Sequence, residues 1–215
     1  MKRYPGTIAL ICGSPKQTGS SSAAVLDRLR EKLPEKTPIT DIHIAAKLTA
    51  ENAELLKSCD TLLFAFPLYV DGIPGHLLRA LMQLEPLMTS KQRVYGIINC
   101  GFFEGRQCQT AARILENWAA RSSCNYMGAI GLGTGGMLTL FDKYGEGPLK
   151  PIETRLTALV ADIISGQTIG FEHTQASLPK IVYKLAVEMN WRRSAKRNGL
   201  KSADLKRKPL PPSRQ

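Results

Sequence analysis

The stretch Thr7–Ser22 reads TIALICGSPKQTGSSS and joins a short apolar run to a loop of glycine, hydroxyl and lysine residues. An apolar run of this length, stopped by Gly13-Ser14-Pro15, is typical of a strand that is buried on both faces in a parallel sheet. The serines at the end of the stretch can cap a helix, because their hydroxyls accept hydrogen bonds from unpaired backbone N–H groups. Since the N-terminus of a helix attracts negative charge, the loop predicts an anion site.

One lysine and several hydroxyls in this loop suit a single phosphate. The loop is not a P-loop, because five residues separate Gly13 from Gly19 and no Gly-Lys-Ser follows. A capped helix preceded by a polar turn would use the same residues without binding a ligand. We favour the phosphate site, since glycine, hydroxyls and lysine converge directly after the first buried strand.

Strand-like and helix-like segments alternate from Thr7 to Ser165. Short apolar runs indicate five strands, over residues 7–12, 39–45, 61–66, 93–99 and 127–132. Apolar residues at helical spacing indicate five helices, over residues 20–33, 50–58, 75–88, 107–122 and 148–165. The alternation predicts an α/β fold, a three-layer, doubly wound, parallel five-stranded sheet between helices. Ligands of such sheets bind at the carboxyl ends of the strands, so the loops after strands one, three and four carry the most weight.

Two further loops fall at that edge. The first, PLYVDGIPG at Pro67–Gly75, has two prolines that stiffen the backbone and an aromatic residue between them. It suits a rigid wall beside a flat ligand, although a stiff turn with Tyr69 in the core would fit equally well. The second, NCGFFEGRQ at Asn99–Gln107, carries two glycines and adjacent phenylalanines. No histidine stands near Cys100 in the sequence to activate its thiol, so we interpret this cysteine as structural.

A fourth segment, GLGTGG at Gly131–Gly136, matches the Gly-x-Gly-x-x-Gly pattern of dinucleotide-binding loops. It follows the fifth strand rather than the first, and no acidic residue ends a next strand about twenty residues on. We therefore interpret it as a flexible loop over the mouth of the pocket.

Composition and charge indicate how the chain is organised. It has 215 residues, of which 43% are apolar and 22% charged, as in ordinary globular proteins. Its net charge of +11 is concentrated in Lys180–Gln215, where eleven Lys and Arg stand against two acidic residues, a balance of +9. We predict a domain over residues 1–175 and a basic helical extension and tail over residues 176–215. The tail is either a solvated segment, which we favour, or a surface for an anionic partner such as nucleic acid or a membrane.

Five cysteines and three histidines are spread along the chain without metal-ligand spacing, and no Cys-x-x-Cys pair occurs. This distribution argues against a disulfide framework, a metal site and an iron–sulfur cluster, and it favours a reducing cytoplasm. No apolar stretch approaches the roughly 20 residues that span a bilayer, and the N-terminus lacks the cleavage site of a secretory signal. We expect no metal and no transmembrane segment.

The start of the extension, LPKIVYKLAVEM at Leu178–Met189, has a helical apolar stripe. Five residues fall on one face of the predicted helix, namely Ile181, Val182, Leu185, Ala186 and Met189. We expect residues 178–198 to dock as a helix on the body or on a second subunit, helping to form a homodimer.

Three of these motifs together resemble those of a known family. Gly-Ser-Pro-Lys followed by Gly-Ser-Ser, Pro-Leu-Tyr-Val-Asp-Gly-Ile-Pro, and Asn-Cys-Gly-Phe-x-Glu are similar, in order and placement, to motifs of the flavodoxin-like NAD(P)H-dependent FMN oxidoreductases. The resemblance covers roughly residues 7–200. It is closest to bacterial members with a basic C-terminal helical extension, to which Val182–Gly199 is similar.

This resemblance implies an FMN cofactor and gives roles to individual residues. The FMN phosphate would be held by Ser14, Lys16, Gly19, Ser20 and Ser21. The isoalloxazine ring would be lined by Pro67, Leu68, Tyr69 and Val70, and flanked by Asn99, Gly101 and Phe102. No catalytic side chain is expected, because the flavin carries the chemistry. Relatives often have Arg where Lys16 stands, and a lysine lacks the planar fork that binds phosphate through two hydrogen bonds.

The implied function is that of an FMN-dependent oxidoreductase that acts as a homodimer. Hydride would pass from NAD(P)H as co-substrate to the flavin, and then to a small quinone, flavin, azo or nitro acceptor. One alternative is a flavodoxin-like electron carrier without nicotinamide turnover, although flavodoxins are usually strongly acidic. A second alternative is a protein that acts through its basic tail on nucleic acid or a membrane. Of these two partners, we do not expect nucleic acid.

Overall fold

The computed structural model describes residues 6–141 and 144–207. Its six strands are β1 (Ile8–Cys12), β2 (Ile39–His43), β3 (Thr61–Pro67), β4 (Arg93–Asn99), β5 (Asn125–Leu132) and β6 (Gly170–Thr174). Its six α-helices are α1 (Ser21–Arg30), α2 (Ala50–Ser58), α3 (Gly75–Leu84), α4 (Gln109–Arg121), α5 (Lys150–Ser165) and α6 (Lys180–Arg197). Short 3-10 helices cover Glu85–Leu87, Gly105–Cys108, Gly135–Met137, Gly147–Leu149 and Ser202–Lys206. The part of the predicted tail beyond Arg207 lies outside the described residues.

The strands form one parallel sheet in the order β2-β1-β3-β4-β5-β6. The order 2-1-3-4-5 is that of the flavodoxin-like fold, in which the winding reverses between β1 and β3. The predicted α/β, doubly wound class is therefore confirmed, but the sheet has six strands rather than five. Sequence reasoning missed β6 because all five of its residues, GFEHT, are exposed or half-buried and form no apolar run.

Local sequence explains most of the element boundaries. Ser20 caps α1 as expected, its hydroxyl accepting from the backbone N–H of Ala23 at 3.1 Å. The predicted helix over residues 75–88 ends instead at Leu84 and continues as a 3-10 turn. Pro86 is the reason, because proline has no N–H to donate and its ring clashes with the helical carbonyl four residues earlier.

The core lies where apolar strands meet apolar helix faces. All of β1 and nearly all of β3 and β4 are buried, as their continuous apolar sequences require. Phe64 of β3 packs edge-on against Trp118 of α4, with ring centroids 5.6 Å apart. These rigid central strands hold the three loops that follow them.

The chain divides into two compact units, Met1–Ser177 and Leu178–Gln215. In the second unit, Val187 and Trp191 of α6 line a groove together with residues of the turn Ser202–Lys206. In the part of the chain that the structure describes, no helix combines the length and apolar character needed to cross a membrane.

Candidate functional site

The loops after β1, β3 and β4 lie side by side at the carboxyl edge of the sheet, because those strands are neighbours. Backbone hydrogen bonds continue the pairing beyond the strands. Gly13 N–H donates to the Ala65 carbonyl at 2.8 Å, and Leu68 N–H donates to the Asn99 carbonyl at 2.8 Å. The structure thus brings all twelve residues predicted for the site to one edge, at the point where the winding of the sheet reverses.

The β1–α1 loop presents unpaired backbone donors. None of the N–H groups of Thr18–Ser22 donates a hydrogen bond to any residue that the structure describes. Gly19 has φ of 62°, a left-handed conformation that glycine adopts without strain. Consecutive free N–H groups at a helix N-terminus, next to the exposed side chain of Lys16, form a donor set of the kind that binds phosphates in proteins.

The serine hydroxyls of this loop are largely engaged in the protein. Ser14 is 3% exposed, and its hydroxyl accepts from the Lys16 N–H at 3.3 Å. The Ser21 hydroxyl donates to the Gly135 carbonyl at 2.8 Å, and the Ser22 hydroxyl donates to Oδ1 of Asn99 at 2.8 Å. Ser21 therefore offers a ligand its backbone N–H rather than its hydroxyl proton. Asn99, predicted to flank the flavin ring, is 8% exposed, and its amide oxygen holds Ser22.

Two histidines support the same loop, a role that sequence reasoning missed. Nε2 of His43, at the end of β2, lies 2.8 Å from the Ser14 carbonyl. Nε2 of His76, in the first turn of α3, lies 3.2 Å from the Gly13 carbonyl. Both rings therefore fix the direction of the peptide groups that begin the loop. His43 lies at the end of one strand next to β1 and His76 follows the other, but the sequence does not give the strand order, so it could not show that they meet the β1–α1 loop.

The β3–α3 loop makes a tight turn at the predicted flavin wall. Tyr69 and Gly72 exchange two backbone hydrogen bonds of 3.1 and 3.0 Å, and Val70 and Asp71 between them have φ of 48° and 56°. This geometry is that of a type I′ turn, which normally takes Asn and Gly. Val70 is fully exposed and Tyr69 is 45% exposed, so Tyr69 is not a core residue. Pro67 and Leu68 are half-buried beneath them.

The β4–α4 loop, which follows the strand next to β3 in the sheet, supplies a second aromatic side chain. Phe102 is 55% exposed, and a Cβ built on Gly101 would meet no atom within 4 Å. Exposed aromatics on the loops of two neighbouring strands, Tyr69 and Phe102, give the edge an apolar character beside the polar phosphate loop. The arrangement suits a ligand with a flat ring system and an anionic end.

Cys100 is buried under this loop, together with Cys108. A hydrogen bond between the two thiols lowers the pKa of Cys100 and raises that of Cys108, while burial opposes ionisation of both. The Cys100 thiol also points towards the Glu104 carbonyl, 3.7 Å from its Sγ. With 2% exposure, Cys100 is out of reach of a substrate, which agrees with its interpretation as structural.

The Gly131–Gly136 segment is not the flexible cover that the sequence suggested. Gly135 N–H donates to the Cys100 carbonyl at 2.7 Å, and Thr134 N–H donates to the Phe102 carbonyl at 2.6 Å. A Cβ on Gly133 would lie 2.2 Å from the Phe103 carbonyl oxygen, so the two backbones are in direct contact. The glycines allow this close approach and leave no space for a pyrophosphate, which agrees with rejecting a dinucleotide site.

The donor set fits the phosphate end of FMN, and the exposed aromatic turn fits its ring. Among residues 6–141 and 144–207, no group of three or more His, Cys, Asp or Glu side chains is placed to hold a metal ion.

The similarity of this chain to known proteins lies in its fold and not in its sequence. No family model and no curated protein matches its sequence. Solved structures do match its fold. An NADH:FMN oxidoreductase (EMOB) in its apo form has 13% identity over 75% of this chain and 90% of its own, with a TM-score of 0.59. An oxidoreductase from Corynebacterium diphtheriae has 14% identity over 75% and 96%, with a TM-score of 0.54.

An NADPH-quinone reductase from P. pentosaceus is also similar, with 14% identity over 77% of this chain and 99% of its own, and a TM-score of 0.51. The likeness extends over nearly the whole length of each of these structures. At such identities it concerns the fold, which is the flavodoxin-like fold that the strand order defines.

Proposed function

We propose that this protein is an FMN-dependent oxidoreductase that accepts hydride from NAD(P)H and passes electrons to a small acceptor such as a quinone, flavin, azo or nitro compound. The observation that carries the proposal is the run of unpaired N–H groups at Thr18–Ser22, beside Lys16 and at the switch point of the sheet. The oxidoreductases with similar folds support it at the level of the fold.

In this proposal the chain binds and orients, and the flavin supplies the hydride chemistry. The backbone of the β1–α1 loop and Lys16 hold the phosphate, and Ser14 and Ser20 shape the loop. Tyr69, Val70 and Phe102 border the ring, while Gly101 leaves space beside it. No proton-transfer side chain is required, which is consistent with the burial of Cys100 and with the use of His43 and His76 in holding carbonyls.

The identity of the cofactor is tested first. Mass spectrometry of the cofactor released by heat should find FMN rather than FAD, because the loop has donors for one terminal phosphate. Lys16→Ala should weaken FMN binding by about 1.5–3 kcal/mol, the range for a hydrogen bond to a charged group. Lys36→Ala, which removes another exposed lysine, is the matched control and should change nothing. FAD, or no flavin after reconstitution, would refute the proposal, and an unchanged affinity would remove Lys16 from the site.

Turnover is tested separately. Steady-state oxidation of NADH and NADPH with a quinone acceptor should proceed at catalytic rates. A flavin-loaded protein that does not turn over nicotinamide would instead be a flavodoxin-like electron carrier. Comparing the two nucleotides, and then a panel of quinone, azo and nitro compounds, defines the donor and the acceptor.

Two further parts of the proposal concern the state of the protein in the cell. We propose a cytoplasmic enzyme, because all five cysteines are free and buried rather than paired. We also propose a homodimer, as the sequence resemblance implies, and light scattering of the purified protein measures it. A monomer with full activity would refute the proposed dimer but would leave the cofactor assignment unchanged.

A further inference from the structure

Helix α6 carries an exposed apolar stripe. Ile181, Val182, Leu185 and Met189 are 68%, 48%, 56% and 51% exposed. At 3.6 residues per turn, these four side chains fall within about a third of the helix circumference. The side of the helix with Val187 and Trp191 lines a groove together with the turn Ser202–Lys206, and Glu188 and Arg192 line the same groove next to the stripe. None of the four stripe residues lines this groove.

The same side of the helix becomes cationic towards its C-terminal end. Arg192, Arg193 and Lys196 follow the stripe within the next two turns and are exposed or nearly so. Arg192 lies 3.6 Å from Glu188, and neither Arg193 nor Lys196 has an ion pair with another described residue. Because Lys180–Gln215 has a balance of +9, this unit provides most of the net charge of the chain.

A surface that is apolar at one end and cationic at the other limits the classes of partner that can bind it. Lipid phosphates attract Lys and Arg, and the boundary between head groups and acyl chains accepts aliphatic side chains, so an anionic membrane satisfies both parts. Nucleic acid would use the cations, but its phosphates and stacked bases give no place to four aliphatic side chains. A second copy packed in parallel would cover the stripe but bring two cationic segments into proximity, and an antiparallel second copy is an outcome that the test distinguishes.

We propose that α6 binds an anionic lipid surface, with the stripe Ile181, Val182, Leu185 and Met189 entering the head-group boundary and Arg192, Arg193 and Lys196 contacting lipid phosphates. The helix is 18 residues long, about 27 Å at 1.5 Å per residue, and lies along the surface rather than across it. This binding does not depend on the proposed flavin chemistry, because it uses residues outside the candidate site.

The test is co-sedimentation of the full chain with vesicles. Vesicles of phosphatidylglycerol and phosphatidylcholine should bind the protein at low salt and release it at high salt, whereas pure phosphatidylcholine should bind weakly. The double variant Arg193→Gln and Lys196→Gln should weaken binding about 30-fold, since each cation near an anionic surface contributes slightly more than a fivefold step. Its control is Lys36→Gln with Lys47→Gln, two exposed lysines of the first unit, which should bind as the wild type.

The stripe is tested with Ile181→Glu and Leu185→Glu together, which should reduce vesicle binding by at least about tenfold. Leu78→Glu with Met82→Glu is the matched control, because these residues of α3 are also exposed, apolar and four positions apart. Circular dichroism checks that each variant keeps its helices, and the charge variant addresses the same surface without altering the stripe.

Several outcomes would overturn the proposal. Equal binding to both kinds of vesicle would show that lipid charge plays no part in the binding. No binding to the anionic vesicles would show that α6 does not bind lipid. Either result would refute the proposal. Tighter binding to a labelled oligonucleotide than to vesicles, unchanged by the stripe variant, would point to nucleic acid. A stripe variant that changes from dimer to monomer in light scattering, yet binds vesicles normally, would show that the stripe joins two copies of the chain.

Discussion

Val70 provides the sharpest test of the candidate site, because its backbone is strained while its side chain packs on nothing. Its φ of 48° is left-handed, and a β-branched residue is an outlier there. Strain of this kind costs on the order of 1–3 kcal/mol and is found at ligand sites, where the surroundings enforce it. Asn tolerates the left-handed region far better, because its short amide bonds locally. Val70→Asn should therefore relieve strain.

The expected gain follows from the exposure of the side chain. Val70 is 101% exposed, so the substitution removes no packing within the chain. Relief of part of a penalty of 1–2 kcal/mol should raise the free energy of unfolding by about 1 kcal/mol. For a chain of this size that corresponds to a rise in Tm of about 2–4 °C. The measurement is made on apoprotein, because bound flavin would stabilise the folded state by mass action.

The same variant should weaken flavin binding. If the Val70 side chain borders the ring, replacing it with an amide loses the burial of a small aliphatic group, worth about 1.5 kcal/mol or roughly a tenfold rise in Kd. Ser123→Asn is the matched control. Ser123 has φ of 59° and is exposed, and it precedes β5 at the opposite edge of the sheet. It should gain less stability, because serine is not β-branched, and it should leave flavin affinity unchanged.

Two results would refute this reasoning in different ways. If Ser123→Asn raises the Tm of the apoprotein and Val70→Asn does not, the turn is not strained. If Val70→Asn binds FMN as tightly as the wild type, Val70 does not line the ring and the assigned wall is wrong.

Three other substitutions or truncations give independent checks. Burial raises the pKa of Tyr95 to about 12 from an ordinary value of 10, so the stability that its neutral form contributes is complete below pH 10 and falls as the pH rises through 12. The free energy of unfolding, measured with urea across this pH range, should fall by up to about 3 kcal/mol because of Tyr95. Tyr95→Phe should flatten this part of the pH dependence, and an unchanged pH dependence would contradict the assignment. Gly133→Ala should cost at least about 2 kcal/mol in thermal unfolding, since its Cβ would lie 2.2 Å from the Phe103 oxygen, whereas Gly136→Ala, with no atom within 4 Å, should be neutral; equal effects would refute the close-contact argument. Deleting residues 200–215 should leave flavin content and NADPH oxidation nearly intact, and loss of activity would give the terminal segment a role in the site.

The fold was predictable because its central strands carry a strong signal. β1, β3 and β4 are continuous apolar runs buried on both faces, and their bounds differ from the prediction by no more than one residue. β6 was not predictable, because an edge strand needs few apolar residues and its sequence, GFEHT, gives no periodicity. Strand order was also beyond the sequence, since periodicity identifies elements and not their neighbours. For this reason His43 and His76 could not be placed beside the β1–α1 loop.

The glycine pattern at Gly131–Gly136 shows that a local motif can indicate a close backbone contact correctly and still suggest the wrong partner for that contact. Glycines mark places where another backbone or a ligand comes within contact distance of the chain. In a dinucleotide site that neighbour is a pyrophosphate, but here it is the protein itself. A Cβ on Gly131 would lie 2.3 Å from the Gly105 oxygen, and one on Gly135 would lie 2.7 Å from the Cys100 oxygen. The Gly135 carbonyl also accepts a hydrogen bond from the Ser21 hydroxyl at 2.8 Å, which ties the segment after β5 to the β1–α1 loop. The glycines therefore act on the candidate phosphate site through the backbone that supports it, and the sequence pattern alone could not distinguish this indirect role from direct binding.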